Sequence, residues 1–98
     1  MQSSPCPGAD ELNQILNPNL SADKRIALSE KWLKKYFASQ KAIVKTVGSN
    51  ATTIVSTETA EDFMLRIGTS SNIAHLTILQ CNTDEQGKIL ELIIQEVR

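Results

Sequence analysis

One histidine, His75, and two cysteines, Cys6 and Cys81, are the side chains of this sequence able to shuttle a proton or act as a nucleophile near neutral pH. A Cys–His dyad requires the two groups in hydrogen-bond reach. His75 and Cys81 both fall in the apolar stretch "NIAHLTILQC", where six strand residues separate them by roughly 20 Å, so no dyad forms there. A lone histidine also lacks partners at metal-ligand spacing, and neither a metal nor a cofactor is expected. Glu58, Glu61 and Asp62 crowd the start of a helical pattern, where anions are favoured electrostatically whatever the function. Lys24, Lys31, Lys34 and Lys35 form a stripe on the polar side of a second helical pattern. Asp23 and Glu30 dilute it, and it reads as a solvated face. "GSNATT" and "GTSSN" lack the spacing of a phosphate loop.

Composition narrows the classes further. A chain of 98 residues is one domain. Folding at that size buries roughly 60–65% of the unfolded surface, which suits one thin two-layer core. Ten basic and eleven acidic residues leave a formal charge of −1, against a sequence-independent grip on nucleic acid. Trp32, Tyr36, Phe37 and Phe63 offer few platforms for base stacking. No apolar run approaches the ~18–20 residues of a membrane span. "MQSSPCPGADE" has neither the basic nor the apolar region of a signal peptide. Its Pro5, Pro7 and Gly8 read as the tether left by a removed signal, so a periplasmic or secreted location is expected ahead of a cytoplasmic one. Two cysteines permit a single intramolecular bridge. With Cys6 in a flexible tail over residues 1–9, the expectation is two free thiols, Cys81 serving as a small core residue.

The elements that must position these residues follow from periodicity. Leu12, Ile15 and Leu16 stand at helical spacing until Pro18 stops the pattern. Ser21 and Asp23 open a longer helix with two adjacent stripes, Ile26–Leu33–Phe37 and Leu28–Trp32–Tyr36. That apolar face, about half the circumference wide, suits a helix lying across a sheet. "KAIVKTVGSNATTIVST" is a β-hairpin turning at Gly48-Ser49-Asn50. Next, Ala60, Phe63, Met64 and Ile67 share a helical face, with Thr59 and Asp62 resembling a capping box and Gly68 placed as the C′ residue. "NIAHLTILQC" and "GKILELIIQEV" make a second strand pair. In the last strand, strict alternation sends Leu90, Leu92 and Ile94 to one face and Ile89, Ile93 and Val97 to the other. The order α-α-β-β-α-β-β implies an α+β fold, with N-terminal helices packed on a curved antiparallel sheet of about four strands.

That order, the long helix ending "KKYF", the hairpin, the helix "TAEDFMLRI" and the final "GKILELIIQEV" resemble the NTF2-like superfamily (SnoaL-type, cystatin-like cone), in its small exported bacterial form. The resemblance covers roughly residues 10 to 97, which form the expected single domain, 10–98, after the tail. It implies a non-catalytic binding or interaction module. The alternative is a small-molecule-binding protein or pocket enzyme of the same fold, with Trp32, Tyr36, Asp62 and His75 as candidate pocket residues and Asp62, His75 and Tyr36 used by the enzyme; the resemblance supplies no motif for them. It also adds weight to a homodimer packed sheet to sheet around Ile89, Ile93 and Val97, with a small apolar ligand or a protein as the other partner.

Overall fold

Sequence-local signals build the elements where they are expected. The computed structural model describes Cys6 and residues 8–50, 52–69 and 72–97. Among these, α1 is Ala9–Ile15, α2 Ala22–Tyr36, β1 Ile43–Val47, β2 Ile54–Thr59, α3 Ala60–Thr69, β3 His75–Thr83 and β4 Ile89–Val97. The Ser21 hydroxyl caps α2 by accepting from the Lys24 amide at 3.3 Å, and the Thr59 hydroxyl caps α3 by accepting from the Asp62 amide at 3.2 Å.

The architecture is α+β, with an open four-stranded sheet in the order β2-β1-β4-β3. Both expected hairpin pairs are antiparallel, but the central pair, β1 with β4, is parallel, so the sheet is mixed. Local alternation cannot reveal this, because it is set by which hairpin strands meet in the middle. Val44, Leu76, Leu92 and Ile94 carry the sheet's side of the core. Leu12, Trp32, Leu33, Phe63, Met64 and Ile67 supply the helical side.

Two expectations are corrected by breaks in regularity. In β4, Ile89 pairs with Thr83 and Glu91 with Asn82, which makes Leu90 an extra residue that shifts the phase of the strand. Ile89 is therefore fully buried with Leu92 and Ile94, while Leu90 is half exposed. Gly68 is not a C′ residue but lies inside α3, where a Cβ would come within 3.2 Å of Ser29 Oγ and 3.3 Å of Ile26 Cα. It is the point of close approach between α3 and α2.

The expected free thiols are a disulfide: Cys6 is bonded to Cys81, with Cα atoms 5.7 Å apart. The expected tail is also shorter where it is described. Cys6 packs on the core, and the Gly8 carbonyl accepts from the Trp32 indole at 2.9 Å. Gly8 has φ 74°, and a Cβ there would come within 2.6 Å of the Tyr36 ring. The glycine that suggested a flexible tail instead seats the chain against α2. The expected tail's residues 1–5 and 7 lie outside the described residues.

Two stability measurements test this packing. Phe63→Ala, which empties a fully buried aromatic site, is expected to lower the unfolding free energy by about 3–5 kcal/mol in chemical denaturation. A loss under about 1 kcal/mol would mean that α3 is not part of the core. Reduction of Cys6–Cys81 releases a closure spanning 75 residues of sequence. It is expected to cost about 2–4 kcal/mol, visible as a lower denaturation midpoint in the presence of a thiol reductant.

Candidate functional site

The four residues expected to share a pocket occupy separate places. Trp32 is buried, its indole spent on Gly8. Tyr36 packs on Trp32 with ring centroids 4.9 Å apart and donates its hydroxyl to Glu11 at 2.8 Å. His75 is exposed at the start of an edge strand, paired with Val97 and on the sheet face opposite the helices, since the next residue, Leu76, is in the core. Asp62 is exposed on α3, in the helical layer. The sheet thus stands between Asp62 and His75, and no acid–base pair forms from them.

Asp62 does line a recess, and the recess is built by two helices. On α2, Ile26, Ser29, Glu30, Leu33 and Lys34 repeat at helical spacing. On α3, Glu61, Asp62, Met64, Leu65 and Gly68 do the same. Together with Gln40 they enclose a groove of about 420 Å³. Contact through Gly68 closes it at one end, near Ile26 and Ser29. Lys34, Gln40, Glu61 and Asp62 line the rest. Leu33 and Met64 are buried beneath it, and Leu65 is 62% exposed at its lip.

The chemistry of that groove is constrained by what its polar atoms already do. The first amides of α3 are all engaged: Ala60 N donates to Ala42 O, Glu61 N to Gln40 O and Asp62 N to Thr59 Oγ1. The Ser29 hydroxyl donates to the Arg25 carbonyl at 2.9 Å. The helix end therefore has no spare donors for an anion. Glu30, Glu61 and Asp62 set three carboxylates against the one ammonium of Lys34 around an apolar floor. Such a surface favours a group that is apolar in body and cationic at its edge. Helical spacing across both patterns (26, 29, 30, 33, 34 against 61, 62, 64, 65, 68) contained this signal, but pairing α2 with α3 required the tertiary fold.

Arg66 was singled out by no sequence feature, yet it holds an enclosed ion cluster. Its guanidinium reaches Glu58 on β2 and Glu96 on β4, each at 2.6 Å. The Glu96 side chain is only 6% exposed. Burial works against the arginine's charge, but hydrogen bonds to Glu58 and then Glu96 outweigh it and hold Arg66 above its already high ordinary pKa.

The far face of the sheet is polar at its centre. Glu91 accepts from Lys45 at 2.8 Å and from Asn82 at 2.7 Å, and these bonds, Lys45 first, hold its carboxyl below the ordinary value against a small opposing effect of burial. Gln95 donates to the carbonyls of Gly48 and Ser49. Of the expected dimer-face residues, Ile89 is excluded by its burial. Register and exposure put Ile93 and Val97 on this face. No group of acidic, histidine or cysteine side chains among the described residues could hold a metal ion. No described helix is long and apolar enough to cross a membrane. Compared with known proteins, the chain matches no family model, no curated sequence and no solved structure.

Removing the arginine tests the cluster. Arg66 is one-third exposed, so Arg66→Met is expected to cost about 2–3 kcal/mol at neutral pH, less than the ~3–5 of a fully buried pair. Urea denaturation at neutral pH checks it, and a loss under about 1 kcal/mol would show that the cluster contributes little to the architecture.

Proposed function

We propose that this chain is a small non-catalytic binding module of the NTF2-like kind, acting outside the reducing cytoplasm. The groove between α2 and α3 carries the reading. Its apolar floor and carboxylate rim suit a stretch of partner polypeptide that inserts one apolar side chain between basic neighbours. A small apolar amine meets the same requirements and is the second ligand class. The element order supports the NTF2-like resemblance. The Cys6–Cys81 bridge supports export, because such bonds persist in oxidising compartments. A pocket enzyme built on Asp62, His75 and Tyr36 loses support from the separation of the three side chains. A homodimer belongs to the same reading, and on the sheet face it would keep Ile93 and Val97 of its three expected residues.

Methyl-resolved NMR titration with two short peptides, one alternating leucine with lysine and one leucine with glutamate, tests the proposal. The basic peptide is expected to shift the methyl signals of Ile26, Leu33 and Leu65. The acidic peptide should leave them unmoved, and Glu61→Lys combined with Asp62→Lys should reverse the preference. Methyl groups indifferent to both peptides would remove the groove as the binding surface.

A further inference from the structure

Strand β2 ends the sheet on one side, and nothing among the described elements pairs with its outer edge. Ile54, Val55, Ser56 and Thr57 are all exposed, Ile54 by 48% and Val55 by 64%. An exposed edge rich in β-branched residues is a template for another strand unless charge, proline or a break in pairing blunts it. Val55 is an extra residue opposite β1, but Ser56–Thr59 is regular. Its one charged side chain, Glu58, is held by Arg66. The opposite edge, β3, is broken in register near Leu79 and has Cys81 tied to Cys6.

The ladder also says which backbone groups are open. Ala60 N donates to Ala42 O at 2.7 Å. Alternation along an antiparallel pair then turns the bonds of Glu58 and Ser56 toward Val44 and Thr46, and the amide and carbonyl of Thr57 outward. We infer that two copies of this chain pair antiparallel through β2, about a two-fold axis at Thr57, joining their sheets into one. The occupant is a second copy because the edge is complementary to itself. Thr57 meets Thr57, a favourable cross-strand pair. Glu58 meets the Ser56 hydroxyl of the second copy rather than another carboxylate. Such a contact is isologous and closes at two subunits. This inference is independent of what fills the α2–α3 groove.

Light scattering from low micromolar to sub-millimolar concentration, together with amide hydrogen exchange, tests it. The expected result is a dimeric mass at the upper end, with exchange at the Thr57 amide slowing on the order of tenfold or more as the dimer fills. Thr57→Lys sets two ammonium groups at the axis on an exposed site. It should give a monomer with unchanged far-ultraviolet circular dichroism, whereas Ile93→Lys should remain dimeric. A monomeric mass throughout, with Thr57 exchanging freely at every concentration, overturns the inference. So does a dimer that survives Thr57→Lys, and one lost to Ile93→Lys would instead be packed through the sheet face.

Discussion

Strands β2 and β3 follow one another in the chain but lie at opposite edges of the sheet, pointing the same way. The chain between them must both cross three inter-strand gaps, about 14 Å, and return along the strands. Helix α3, ten residues and about 15 Å long, carries most of that journey, and the rest of the molecule is arranged to receive it. Phe63, Met64 and Ile67 fill the space above the sheet. Arg66 ties the helix to β2 and to β4. Gly68 lets its far end lie directly on α2. The groove follows from the same placement, since two helices touching at one end leave a recess beside their remaining length.

Much of this was legible in the sequence, and the boundary is physical. Periodicity is local, so both hairpin pairs, α3 and its buried face could be read from spacing alone. The parallel pairing of β1 with β4 involves residues some fifty positions apart, and no local pattern encodes it. One extra residue, Leu90, reverses the face to which Ile89 belongs, and an alternation count cannot see it. The N-terminal segment was misread because proline and glycine signal flexibility as readily as a fixed turn. Gly8 supplies the turn that seats the Trp32 indole.

The candidate site was half legible. Asp62 was recognised and does line a recess, but its neighbours there are Lys34, Gln40 and Leu65 rather than His75. Trp32 and Tyr36, expected at a pocket, lie on the wide apolar face of α2. That face serves two clients: Trp32 and Tyr36 meet the N-terminal segment, while Ile26 and Leu33 turn toward α3. The tightly held charges at Arg66 and Lys45 are spent on architecture. The carboxylates around the groove have no such partner among the described residues.

The position of β4 has a consequence for how the molecule comes into being. It lies between β1 and β3, yet it is synthesised after both. A ribosome releasing the chain from its N-terminus exposes the β1–β2 hairpin and the single strand β3, whose inner edges have nothing to join them until β4 emerges. The sheet cannot assemble in the order of translation; it must close in a late step, when the last strand slots between neighbours already made. A polypeptide of this kind stays uncommitted while it is being made, its first hairpin and its third strand waiting on the one that must lie between them.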